Sequence, residues 1–177
     1  MIESSTNSIR ILAIKYGTSV DGIGLRTSLY CAGCENRCKG CHNPQSWDEN
    51  GGEAIEIEEL FRLIVDADMN VTFTGGDPMF HPEGFIRLAQ MIKEQTDKTI
   101  WCYTGYRFED LLVHPHRRKL VELCDVIVDG RYIEAERDLS LHFRGSRNQR
   151  IINVAESLQG EVVLMTLYQR NRDNHIK

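Results

Sequence analysis

The chain has 177 residues, 41% hydrophobic and 27% charged, with a formal net charge of −5, the size and balance of one globular domain around a single sizeable core. No stretch reaches the roughly 18 apolar residues of a membrane span, and the opening MIESSTNSIRILAIKY lacks a basic segment ahead of an apolar one, so no membrane association or secretory leader is expected and the cytoplasm is the expected compartment. The acidic balance also argues against a nucleic-acid polymer as main partner, the one dense basic run being His116-Arg117-Arg118-Lys119.

Ile9–Tyr16 alternates apolar and polar residues, and Arg26–Tyr30 is rich in β-prone types; both predict strands, joined by the turn-rich Asp21-Gly22-Ile23-Gly24. A cysteine loop runs from Cys31 to about Asn43. Leu60, Leu63, Ile64 and Ala67 recur at helical spacing within Ile57–Asp68, and Phe85, Leu88, Ala89 and Ile92 do the same within Pro82–Gln95. Between these helices, Val71–Thr74 is a short strand closed by Gly75-Gly76-Asp77-Pro78. Ile100–Thr104 is another, ended by Gly105. Phe108–Leu112 and Arg117–Leu123 are helical pieces interrupted at Pro115, and Val126–Val128 is a buried strand ended by Asp129-Gly130. The stretch 133–150 is polar and irregular, and Val162–Tyr168 is the last expected strand.

Strand and helix alternate, which predicts an α/β fold with a parallel sheet. The count falls short of a closed eight-unit barrel, which needs about 250 residues. A partial, open β/α barrel of parallel strands in a single domain spanning 1–177 is therefore expected. Ligands of such sheets sit at the carboxyl ends of the strands. The cysteine loop and the turns at Gly75–Pro78, Thr104–Tyr106 and Asp129–Gly130 should then converge on one mouth.

Chemistry is concentrated in four cysteines within eleven residues, Cys31, Cys34, Cys38 and Cys41. A reducing compartment and this close spacing suit a metal better than disulfides. Four thiolates could bind zinc, but paired zinc ribbons place a longer stretch between the pairs. A bacterial ferredoxin run is C-x2-C-x2-C-x3-C-P, whereas here the spacings are x2, x3 and x2 and His42 follows the last cysteine. The spacing favours the third reading, in which Cys34-x3-Cys38-x2-Cys41 holds three corners of a [4Fe-4S] cluster and leaves one iron open for chemistry. Cys102 and Cys124 stand apart, as small buried hydrophobes.

Glycines in the Gly75-Gly76-Asp77-Pro78 turn would let backbone approach a ligand closely, although such a sequence is also an ordinary turn. His42 and Trp47 could each serve the loop or only anchor it. Thr104 could line a cofactor pocket or merely end a strand, and Asp129 could hold a ribose hydroxyl or shape its turn with Gly130. The late arginines Arg144, Arg147, Arg150, Arg170 and Arg172 are most simply a solvated face.

Cys34-x3-Cys38-x2-Cys41 followed by Gly75-Gly76-Asp77-Pro78 resembles the radical S-adenosylmethionine superfamily. A longer series occurs in one order: Gly22-x-Gly24-x-Arg26, Gly40-Cys41-His42-Asn43, Trp47, the Gly75–Pro78 turn, Trp101-x-Tyr103-Thr104-Gly105-Tyr106, Val128-Asp129-Gly130 and Arg144-Gly145-Ser146-x-Asn148-Gln149-Arg150. From about residue 15 to 150 this series is similar to the activating enzymes of the anaerobic, class III ribonucleotide reductase. Ile23 stands where the family carries proline, Cys31 is additional, and about 152–177 lies outside the resemblance.

The resemblance implies one [4Fe-4S] cluster on Cys34, Cys38 and Cys41, with S-adenosyl-L-methionine chelating the open iron. It further implies Gly75, Gly76, Asp77 and Pro78, with Thr104 and Asp129 beside them, as cofactor-binding residues. No side chain is catalytic, because reductive cleavage of the cofactor yields a 5′-deoxyadenosyl radical that takes hydrogen from a glycine. The implied partners are the glycyl-radical subunit of the reductase and an external one-electron donor such as a flavodoxin-type protein. Two other readings are a radical enzyme acting on a small molecule, of the deazapurine synthase type, and a non-catalytic zinc or iron–sulfur module.

Overall fold

A computed structural model describes residues 7–166. Its strands are β1 (Ser8–Thr18), β2 (Arg26–Cys31), β3 (Glu53–Glu56), β4 (Asn70–Gly75), β5 (Ile100–Tyr103), β6 (Val126–Asp129) and β7 (Arg150–Asn153). They form one seven-stranded sheet in the order β3-β1-β2-β4-β5-β6-β7, open at β3 and β7. The helices are α1 (Ile57–Ala67), α2 (Pro82–Gln95), α3 (Phe108–Val113), α4 (Pro115–Leu123) and α5 (Val154–Ser157). Among the described residues, no helix is long and apolar enough to cross a membrane.

The expected parallel sheet holds for β2, β4, β5 and β6, which pair parallel in that order. The outer strands correct it, because β1 and β3 pair antiparallel and β7 runs antiparallel to β6. Connections decide this. The short segment 19–25 between β1 and β2 can close only a hairpin, since a parallel return needs a crossover of a dozen or more residues. The 20 residues between β6 and β7 contain only a 3-10 turn at Glu134–Glu136. With no crossover helix on the sheet face, the chain returns antiparallel.

Two apolar layers result. On one face Leu29, Val71, Phe73, Ile100, Cys102, Ile127 and Ile152 meet Leu60 and Ile64 of α1, Leu88 and Ile92 of α2, and Leu120 of α4. Ile57, Leu60 and Ile64 recur at helical spacing, so α1 buries one stripe. On the other face Trp101, Val126, Val128 and Ile151 form a smaller cluster, packed by Tyr103, Phe143 and Met165. Arg26 is also buried there, with its guanidinium beneath Trp101 at 5.4 Å. Its nitrogens donate to the carbonyls of Ile23, Val71 and Thr99 and to the Thr72 hydroxyl, at 2.6–3.0 Å. One residue thereby fastens the β1–β2 turn to β4 and to the chain entering β5.

Strands β3 and β7 were not expected from the sequence. The expected strand Val162–Tyr168 reduces, within the described residues, to a bridge between Leu164 and Ile152. Residues 167 and 168, like Arg170 and Arg172, lie outside the described residues.

Candidate functional site

Because β2, β4, β5 and β6 are parallel, their carboxyl ends reach the same edge of the sheet. Cys31 closes β2, Gly75 closes β4, Thr104 follows β5 and Asp129 closes β6. Cys31 itself points into the main core, 1% exposed, and burial pushes its thiol up. Cys34, Cys38 and Cys41 lie beyond it in the loop, each half-buried.

Backbone hydrogen bonds lay this loop against the glycine turn. Gly76 N–H donates to the Cys31 carbonyl and Asp77 N–H to the Gly33 carbonyl, both at 2.8 Å. Ser46, buried in the short 3-10 turn Pro44–Trp47, donates to the carbonyls of Asn43 and Gly75 at 2.6 and 3.2 Å. Glycine is required at both turn positions. Gly75 has φ +99°, and a Cβ there would stand 2.5 Å from the Cys31 nitrogen. At Gly76 a Cβ would stand 2.4 Å from the Gly33 carbonyl oxygen.

The thiols fit an iron–sulfur cluster in the donors that face them. Asn43 N–H donates to Cys41 Sγ at 3.4 Å. Burial and the nearby Asp77 carboxylate push the Cys34 thiol up, while the N–H groups of Asn36 and Arg37 and the Asn36 side chain pull it back. Such N–H groups stabilise thiolates and tune cluster potentials. Among the described residues, no three His, Cys, Asp or Glu side chains gather as the ligands of a single metal ion.

Asp77 is 2% exposed and faces protein on every side. Its Oδ2 accepts from Asn36 Nδ2 at 3.0 Å, Thr104 Oγ1 at 3.1 Å and Gly105 N at 2.9 Å; its Oδ1 accepts from Met79 N at 3.0 Å. Burial pushes the carboxyl up to about 6, against the pull of the Gly105, Thr104 and Met79 donors. Thr104 is buried and its hydroxyl also accepts from Tyr106 N–H at 3.2 Å. Asp77 and Thr104 therefore join the cysteine loop, the glycine turn and the turn after β5.

Asp129 is fully buried on the far side of that edge. Its carboxylate accepts from Phe108 N–H at 2.8 Å and is forked by Arg150, whose Nε lies 3.0 Å from Oδ1 and whose Nη2 lies 2.5 Å from Oδ2. Arg150 also binds Glu109 at 2.8 and 3.0 Å. A cavity of 510 Å³ opens beside Cys41 and His42, walled by Asp21, Tyr103, Tyr132 and Arg144. Another cavity, 780 Å³, lies at the opposite end of the strands around Arg26 and Trp101, away from the cysteine loop.

A family model described as a 4Fe-4S single cluster domain matches residues 20–152. The chain is 36% identical to the anaerobic ribonucleoside-triphosphate reductase-activating protein of Vibrio cholerae over 140 residues, 73% of this chain and 88% of that protein. It is 34% identical to the protein of that name from Haemophilus influenzae, with the same coverage. This chain belongs to the family of anaerobic ribonucleoside-triphosphate reductase-activating proteins. The crystal structure of QueE from Escherichia coli aligns at TM-score 0.47 and 16% identity, over 55% of this chain and 52% of that one.

Within this activating-protein chain, the late segment Arg144–Arg150 is solvated at Arg147, while its neighbours are bonded into the fold. Gln149 Oε1 accepts from the Gly145 and Ser146 N–H groups at 2.9 and 3.1 Å, Gln149 Nε2 donates to the Gly130 carbonyl, and Asn148 Nδ2 donates to that of Arg131. Ser146 is fully buried. The segment is a self-bonded loop fastened to the turn after β6. Three residues were missed in the sequence: Asn36 and Ser46, and Arg117, hidden in the basic run His116–Lys119. The one local signal for Asn36 and Ser46 was their position inside the cysteine loop and just behind it.

Proposed function

We propose that this chain is the activase of an anaerobic ribonucleotide reductase, working in the reducing cytoplasm by radical S-adenosylmethionine chemistry. Cys34, Cys38 and Cys41 hold a [4Fe-4S] cluster, and Cys31, turned into the core, does not. When bound there, the cluster would supply one-electron reduction of S-adenosyl-L-methionine, fed by an external donor such as a flavodoxin-type protein, and so the radical chemistry that would remove hydrogen from a glycine of the reductase.

The observation that carries this reading is the pairing of the loop with the turn. Two backbone bonds hold Gly75–Pro78 against the segment that presents the three thiols. The backbone of Gly75 and Gly76 would hold the methionine moiety of the cofactor, and glycine at both positions lets the turn lie directly on the backbone of the cysteine loop. Asp77 and Thr104 serve the cofactor by fixing that turn, and Pro78 stiffens its exit. Asp129 fixes the turn after β6 that borders the mouth. The sheet is read as a partial barrel whose open mouth, including the cavity beside Cys41, is covered by the reductase, which excludes water from the radical.

The reading is tested by anaerobic reconstitution with iron and sulfide, followed by incubation with S-adenosyl-L-methionine and a reductant. About four irons per chain and 5′-deoxyadenosine in the products are expected. A colourless chain that binds only zinc and releases no 5′-deoxyadenosine would overturn it.

A further inference from the structure

The basic run on α4 divides into two kinds of residue. His116 pairs with Glu83 and Arg118 with Glu122, both on the surface. Arg117 turns inward, its side chain 20% exposed. Its Nε donates to the Met79 carbonyl at 2.9 Å, directly after the Gly75–Pro78 turn. Its Nη2 donates to the Tyr106 hydroxyl at 2.9 Å, and its Cζ lies over the Tyr106 ring, 3.8 Å from the ring centre. The Tyr106 hydroxyl in turn donates to the Glu35 carboxylate, and Arg117 Nη2 is itself 3.9 Å from Glu35. Glu35 is the residue after Cys34.

We propose that Arg117 is a positioning residue for the cysteine loop, acting through Tyr106 and Glu35 to hold Cys34 in register with the glycine turn. The inference rests on the cluster reading above. Its physical basis is that one planar guanidinium, with a fixed fork of donors and a face that stacks, gathers three loops that arrive from different strands. Glu35 belongs to the cysteine loop, Met79 to the turn after β4, and Tyr106 to the turn after β5. Hydrogen bonds to charged partners are the stronger kind, and this clamp has a charge at each end. Ligands carried by a loop keep their geometry only when a supporting shell holds the loop.

Tyr106→Phe keeps the ring and its stacking but removes the hydroxyl between Glu35 and Arg117. Arg117→Lys keeps the charge but loses the fork. Both variants should melt within a few degrees of the parent chain. From the reconstituted protein, iron should pass to a colorimetric chelator about tenfold faster in each variant, the scale of one lost charge-assisted hydrogen bond. Iron loss at the parent rate in both variants would overturn the proposal. If the parent chain takes up no iron, the cluster reading falls, and the clamp is judged on the metal-free chain by alkylation of Cys34 relative to Cys41. Faster alkylation of Cys34 in both variants supports the clamp; unchanged alkylation overturns it.

Discussion

Gly76 has the closest backbone neighbour of the two turn glycines, because the Gly33 carbonyl approaches to 2.4 Å of where a Cβ would stand. A methyl group there must push the turn off the cysteine loop and break the Asp77-to-Gly33 hydrogen bond. Gly76→Ala is therefore expected to weaken S-adenosyl-L-methionine binding by about tenfold, the scale of one such bond, measured by equilibrium dialysis on the cluster-loaded chain. The thiols divide by where β2 ends. Alanine at Cys34, Cys38 or Cys41 should abolish stable iron uptake on anaerobic reconstitution. Cys31→Ala should leave uptake intact and act only through the core, costing about 1 kcal/mol in a denaturant titration. Loss of iron in Cys31→Ala with retention in Cys38→Ala would reverse the assignment. These residues were legible because their spacing is local. The part played by Asp77 was not, since its partners Asn36, Thr104 and Gly105 come from segments far apart in sequence.

At the scale of elements, the sequence announces strands and helices by periodicity, and α1, α2 and the four parallel strands follow it. β3 and β7 escaped because each is flanked by polar residues and carries few apolar ones, Ala54 and Ile55 in the first and Ile151 and Ile152 in the second, whereas the equally short β5 and β6 are apolar runs. β7 is held by more than its ladder to β6, since its first residue, Arg150, reaches the buried Asp129. Arg150→Met would strand that carboxylate without its counter-charge, with an expected loss of about 3 kcal/mol in denaturant stability. Glu109 at the outer end of the same arginine behaves differently. Hydrogen bonding to Arg150 holds its carboxyl down at about 2, from an ordinary 4.5. A lowered carboxyl favours the folded state fully above the unfolded value. The contribution is lost as pH falls from about 4.5 through 2. Half of the Glu109 side chain is exposed, so solvent screening limits the pair to about 0.5 kcal/mol. Glu109→Gln should then be slightly less stable than the parent at pH 7, with the gap narrowing by pH 3 in parallel urea titrations. A gap that stays constant or widens in acid would contradict the pairing.

Across the whole molecule, four parallel strands bring the cysteine loop and three turns to one edge, while all the packed helices of the main core lie on one face. That convergence was legible in the alternation of strands and helices, because parallel strands joined by crossovers must end together. The antiparallel edges were not, since they depend on what lies between strands rather than within them. The sheet stays open at β3 and β7, and a cavity beside Cys41 faces the same edge as the glycine turn. An activase needs such an accessible mouth, because its substrate is a folded protein that must bring one glycine to the cofactor. The central claim is tested by incubating the reconstituted chain anaerobically with S-adenosyl-L-methionine, a reductant and the anaerobic ribonucleotide reductase, and recording the electron paramagnetic resonance spectrum of the reductase. A glycyl radical that appears only when all components are present, and is lost in Cys38→Ala, is the predicted result; a chain that cleaves the cofactor yet leaves the reductase free of any radical would contradict it.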